Sequence, residues 1–187
     1  MKTVIVGCGR VGAELADAFD RAGHDVIVVD PSTRAFDRLP STFRGTAVRG
    51  DGTDEDTLRR AGAEDADVFL ALTEGDNRNV MAAQLAVEAL HARRVVAKVN
   101  DPVRAAAYAD LGLATLCRTM LMSDAVTGYL GMPVSGQPGI YPPSGVHPGG
   151  EHHDLPGPVD GAAAGSAATS AVSAPPAPTG APNRAEA

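Results

Sequence analysis

Apolar residues along this chain come in two alternating patterns, and each predicts its own kind of element. Short apolar runs at 2–6, 26–29, 46–49, 68–72 and 94–99 read as strands, because a strand covered on both faces is apolar at nearly every position. Between them the apolar positions fall three and four apart. Val11, Leu15, Ala18, Phe19 and Ala22 mark a helix over 11–22 that stops at Gly23, and further helices are expected over 54–60 and 77–91. Pro31 and Ser32 open a short helix reaching residue 39. Asp76 reads as the N-cap of the 77–91 helix, and Asp101-Pro102 as an N-cap with proline at the first position of a helix over 103–110. A sixth strand at 114–116 and a last helix over 120–130 complete the series. This alternation predicts an α/β fold, a doubly wound parallel sheet of the Rossmann type. Its ligand is expected beyond the carboxyl ends of the strands, where the strand order reverses.

The pattern stops at Gly131. Eleven of the fourteen prolines lie beyond it, with a long Ala/Ser/Pro tract from Gly161 onward. Such a segment offers too little apolar surface to offset the entropy of ordering it, so 1–130 is expected to fold and 131–187 to form a disordered Pro/Gly/Ala-rich tail. Glu151-His152-His153-Asp154 lies in that tail and reads as solvated rather than as a metal site, because adjacent ligands in a flexible segment seldom close a coordination sphere.

Composition narrows the picture. Hydrophobic residues make up 44% of the chain but aromatics only 4%, so the core must be built from Ala, Val, Leu and Ile. A net charge of −7 disfavours nucleic acid and anionic lipid as partners of the whole molecule, leaving open a local basic groove. The two cysteines, Cys8 and Cys117, lack metal or redox spacing and read as packing thiols in a reducing compartment. No window resembles a secretory leader or a membrane span, so the expectation is a cytoplasmic protein without direct membrane insertion.

The chemistry concentrates in Gly7-Cys8-Gly9-Arg10-Val11-Gly12, which joins the first strand to the first helix. In that setting Gly7 permits the tight turn, Gly9 lets backbone approach a pyrophosphate, and Gly12 lets the helix pack closely. The helix start then presents N–H groups and the positive end of its dipole to phosphates. Asp30, ending the second strand, supplies a carboxylate for ribose hydroxyls and disfavours a 2′-phosphate, which favours NAD or ATP over NADP. Asp51, in Gly50-Asp51-Gly52-Thr53, either accepts from an adenine amine or serves as a turn and helix cap. Thr73 and Glu74 should lie across the switch-point crevice. Lys98, one of two lysines, either reaches phosphate or ribose or is simply solvated. Arg10 either adds charge beside the phosphates or is an exposed helix arginine.

Catalytic sets are missing from the sequence. No Tyr-x-x-x-Lys or Walker-type Gly-Lys-Ser/Thr occurs, and His24 and His91 fall at helix ends. The domain therefore reads as a binder, not an enzyme. A small NAD-dependent oxidoreductase or epimerase, or an energy or redox sensor acting on another protein, are the rival readings.

Taken together, Val4 to Gly12, Gly23-His24-Asp25-Val26 leading to Asp30, Gly50-Asp51-Gly52-Thr53, Ala61 to Asp67, Gly75-Asp76-Asn77-Arg78-Asn79 and Ala97 to Pro102 resemble the N-terminal lobe of the Trk/Ktr potassium-uptake regulators. This is the TrkA-type RCK N-terminal, or KTN, domain, and the resemblance covers about residues 1–130. It implies a regulatory subunit, peripheral to the inner face of the cell membrane, that docks on a potassium-translocating membrane protein and gates it on binding NAD(H) or ATP/ADP. It also implies that 7–11 hold the phosphates, that Asp30 holds the ribose, and that Thr73, Glu74 and Lys98 line the rest. Arg10 matches an arginine that reaches a terminal phosphate in some members. Assembly is implied as a homodimer, or as a hetero-oligomer with a second RCK protein, partly through Leu121, Met122, Ala125, Val126, Tyr129 and Leu130 of the last helix. Family members typically continue into a small C-terminal ligand lobe, where this chain has its Pro/Gly-rich segment.

Overall fold

In the computed structural model, which describes residues 1–136 and 139–144, the expected alternation becomes one seven-stranded sheet. The strands are β1 (Lys2–Val6), β2 (Asp25–Asp30), β3 (Thr46–Arg49), β4 (Val68–Ala71), β5 (Val95–Lys98), β6 (Ala114–Leu116) and β7 (Ile140–Tyr141). Their order is β3-β2-β1-β4-β5-β6-β7, parallel except for β7, which pairs antiparallel with β6. The chain leaves β1 for β2 on one side and later returns to β4 on the other. The order therefore reverses between β1 and β4, which puts a crevice at their carboxyl ends.

Four helices cover the sheet, α1 (Arg10–Arg21), α2 (Glu55–Arg60), α3 (Asp76–Glu88) and α4 (Pro102–Asp110), and a fifth, α5 (Arg118–Tyr129), has no buried residue. Alternate residues of β1 supply both layers of core. Val4 and Val6 join Phe69, Ala71, Val80, Ala83 and Ala86 on one face, while Ile5 joins Ala13, Ala16, Val26 and Val28 on the other. The alanines do here what aromatics do elsewhere, since a small side chain lets a helix sit close to the strands.

Several elements differ from the sequence reading. The segment after β2 is a 3-10 helix, Thr33–Arg38, and α3 ends at Glu88, with His91 in the left-handed region at φ 54°. Asp101 caps α4 as expected, accepting from Val103 N and Arg104 N. Asp76 does not cap α3. Gly75 holds the N-cap position, and the Asp76 carboxylate instead accepts from Asn100 N (3.0 Å), Asn100 Nδ2 (2.8 Å) and Asp101 N (3.3 Å). Three donors from the β5–α4 turn outcompete a single helix N–H.

The larger correction concerns the expected boundary at residue 130. Gly131 (φ 69°) ends α5, and the chain returns along it, with Ser135 donating to Asp124. Ile140 and Tyr141 then pair with Leu116 and Thr115, Cys117 N donates to Gly139 O (2.8 Å), and Ser144 N donates to Ala109 O (2.9 Å). Strand β6 would otherwise leave an edge of unpaired backbone groups, and Tyr141 gains a buried ring position by covering it. Residues 137–138 and 145–187, including Glu151 to Asp154, lie outside the described residues. Among the described residues no helix is long and apolar enough to cross a membrane.

Candidate nucleotide site

The first strand-to-helix turn is shaped by three glycines with three different constraints. Gly7 donates its N–H to Val29 O (2.8 Å) at φ 103°, and a Cβ there would stand 2.9 Å from Thr73 N, so β1 can turn against the end of β4 only as glycine. A Cβ on Gly12 would stand 2.0 Å from Gly7 O, which no side chain tolerates. At Gly9, the N-cap of α1, a Cβ would meet nothing within 4 Å. Protein packing thus explains Gly7 and Gly12 and leaves Gly9 facing open space. No side chain caps α1 either, so the N–H groups of Arg10, Val11 and Gly12 lack partners within the helix at the positive end of its dipole. A phosphate fits such a cradle.

Asp30 stands beside this turn. Its Oδ2 accepts from Cys8 N (2.8 Å) and its Oδ1 from Ser32 N (2.8 Å), so the carboxylate ties the turn to the end of β2. An ionised carboxylate has about four acceptor positions, which leaves capacity for a ribose diol. The Cys8 thiol is fully buried. Burial pushes its pKa up, with the Asp30 charge acting in the same direction and Arg38 opposing, which is the behaviour of a protonated packing thiol.

The loop after β3 lies against the same strand ends, since a Cβ on Gly52 would collide with Val6 Cγ1. Asp51 is exposed there, and its Oδ1 accepts from Thr53 N (2.9 Å) and Thr53 Oγ1 (2.8 Å). The turn reading of Asp51 is therefore present in the structure. The cap of α2 is Asp54, which accepts from Thr57 N and has its carboxyl pKa lowered first by the Thr57 hydroxyl.

Across the switch point, Thr73 and Lys98 are brought together by the last residue of the Gly75-Asp76-Asn77-Arg78-Asn79 motif, to which the sequence assigned no role of its own. Asn79, fully buried on α3, accepts from Thr73 N (2.7 Å) and Thr73 Oγ1 (2.7 Å), and donates to Thr73 O (3.0 Å) and Lys98 O (2.9 Å). It sets the distance between the ends of β4 and β5. Its signal was a polar residue within the stripe Val80, Ala83, Ala86, where helical spacing predicts core.

Lys98 is not a solvated lysine. It is 6% exposed, and among the described residues its ammonium has no hydrogen bond and no carboxylate within 4 Å. Burial is the largest influence and lowers its pKa. Glu74 and Asp76 oppose that shift, while Arg118 adds to it. Glu74 is exposed at the rim of the crevice. Arg10, also exposed, lines a pocket of about 490 Å3 on the outer side of the glycine turn.

The profile of the TrkA-N domain family matches residues 3–119. A Trk system potassium uptake protein TrkA from Streptomyces coelicolor is 42% identical over 145 residues, covering 78% of this chain and 65% of that relative. The chain thus spans less than two thirds of that relative's length. Among solved structures, the Shewanella denitrificans Kef CTD in its AMP-bound form is similar at a TM-score of 0.55 and 22% identity, over 72% of this chain and 85% of that one. The GsuK channel bound to NAD is similar at a TM-score of 0.56 and 18% identity, over 68% of this chain and 23% of that one. At these identities the two structures share the fold.

Proposed function

Because the chain belongs to the TrkA-N domain family, we propose that it is a nucleotide-sensing regulatory subunit of a potassium-uptake system, binding NAD(H) or ATP/ADP and gating a potassium-translocating membrane protein. The observation that carries this reading is the open cradle at Gly9: an uncapped helix start, with Asp30 held against the same turn. Phosphates would lie on the N–H groups at Gly9 to Gly12, the ribose on Asp30, and the far part of the ligand toward Thr73, Glu74 and Lys98. The names of its relatives support the potassium assignment, and the AMP-bound and NAD-bound neighbours support an adenine nucleotide.

The chain's role is to bind and respond, not to catalyse. A nucleotide shifts a conformational equilibrium only through unequal affinity for the two states, and a tenfold difference supplies about 1.4 kcal/mol per site. Helix α5 offers a surface through which such a shift could reach a partner, because Met122, Val126, Tyr129 and Leu130 are all exposed. That face suits a homodimer or a hetero-oligomer with a second RCK protein at the inner face of the membrane. The test is potassium flux in vesicles reconstituted with the partner transporter, with AMP, ADP, ATP, NAD and NADH added in turn. Flux that differs among nucleotides supports gating, and equal flux with all of them rejects it.

A further inference from the structure

The first turn of α3 ties the crevice to the elements beyond it. Asn79 holds Thr73 and Lys98 O, while Asp76, on the same turn, accepts three donors from Asn100 and Asp101. Between them Asn77 accepts from Arg104 Nη2 (2.6 Å), which brings α4 to the same turn. The contacts continue from the β5–α4 turn to α5. Asn100 O accepts from the thiol of Cys117 (3.4 Å), which is the N-cap residue of α5, and one residue earlier Val99 N donates to Leu116 O (3.0 Å). A connected path thus runs from Thr73 to the start of α5. Its middle is not fully satisfied, because Asn100 turns Nδ2 to Asp76 and leaves Oδ1 buried without a partner. An unpaired buried acceptor costs free energy, so this turn is easier to displace than one whose polar groups are all bonded.

We propose that Asp76 is the positioning residue that carries occupancy of the crevice to α5. This rests on the nucleotide reading above and names how that site regulates. A ligand lying against Thr73 shifts the first turn of α3, Asp76 takes Asn100 and Asp101 with it, and Asn100 moves the N-cap of α5. A carboxylate engaged through both oxygens fixes orientation as well as distance, which a single hydrogen bond does not. Coupling of this kind needs an element with two arrangements, not mere adjacency, and α5 is that element. It buries no residue, and Met120 against the core and Leu121 against Gly139 both lie in its first turn. Such a segment tilts at small cost. Its twelve residues make a lever of about 18 Å, so a tilt of about 10° at Cys117 moves Tyr129 by about 3 Å.

The experiment is hydrogen exchange of the full chain with and without saturating AMP or NADH, read separately over the first turn of α3, over Asn100 and Asp101, and over α5. Saturation keeps any change of affinity out of the comparison. In the unaltered chain the ligand is expected to change exchange in all three, by about fivefold or more on α5. Asp76→Asn keeps the size of the side chain but loses its charge and one acceptor oxygen. There the first turn of α3 is expected to respond as before, while the response of α5 falls below about twofold. Cys117→Ala cuts the path one step later, so Asn100 and Asp101 still respond and α5 responds less. Should Asp76→Asn fail to fold, Asn100→Ala, which removes the Nδ2 donor together with the unpaired Oδ1, is read in the same way. A full response of α5 in the variants overturns the proposal, as does loss of the α3 response in Asp76→Asn, which would place Asp76 in ligand binding itself. An α5 that the ligand leaves unchanged in the unaltered chain overturns it while AMP binding keeps the crevice reading intact. Failure of AMP and NADH to bind the unaltered chain overturns both.

Discussion

Helices α1 and α5 each run twelve residues, yet α1 buries Gly12, Ala13, Ala16 and Asp20 whereas α5 buries nothing. The difference lies in what each helix meets. Helix α1 has a narrow stripe of small residues that fits the face of β1 and β2, and Asp30 secures the turn that leads into it. Helix α5 starts at Arg118, whose charge acts on the unpaired ammonium of Lys98, and packs Met120 against the core but carries Met122, Val126 and Tyr129 into solvent, with Tyr129 91% exposed. One helix completes its packing within the chain, while the other presents a surface that suits a partner.

The same chemical change on both helices tests this contrast most severely. Ala16→Lys places an unpaired charge at a fully buried position and is expected to cost about 4 kcal/mol or more, read as loss of the cooperative denaturation transition. Gly12→Ala drives a methyl group into Gly7 O and should cost about 2–3 kcal/mol by urea denaturation, together with nucleotide binding. Asp30→Ala removes the partner of Cys8 N. A stability loss of about 1–2 kcal/mol and at least a tenfold weaker nucleotide titration are expected.

On the α5 side the signs change. Lys98→Met removes a buried, unpartnered charge, so the unliganded protein should melt a few degrees higher while NADH affinity falls more than AMP affinity. The pH dependence follows from the same group. Burial lowers its folded pKa, so between that value and the ordinary 10.5 the unfolded chain binds more protons, and this group's contribution makes stability rise with pH across that window. The rise should vanish in Lys98→Met. Val126→Lys is the smallest expected effect on stability, within about 0.5 kcal/mol, and its consequence should appear in sedimentation as a shift toward monomer. A large loss of stability in Val126→Lys would mean that α5 belongs to the core after all.

Local rhythm made much of the fold legible. The strands at 2–6, 46–49 and 114–116 fall where the apolar runs end, and the glycine turn with Asp30 sits at one corner of the crevice as its spacing implied. Other features depended on residues far away in the chain. Strand β7 has only two residues and no periodicity of its own, and it exists because β6 presents an edge and Tyr141 can be buried there. Asp76 looked like a cap because three N–H donors from the β5–α4 turn cannot be seen beside it in the sequence. Asn79 belongs to a motif visible in the sequence, but the place of its amide between Thr73 and Lys98 follows only from the fold.

The order of residues alone determined that strands would alternate with helices, that the first turn would be made of glycines, and that a carboxylate would follow β2. These are consequences of backbone stereochemistry and of periods two and 3.6, which act over a few residues. Tertiary structure decided which of those groups keep a partner. Gly9 remains open and Lys98 is enclosed, because hydrogen bonding, burial and charge pairing depend on neighbours that only the folded sheet brings within reach.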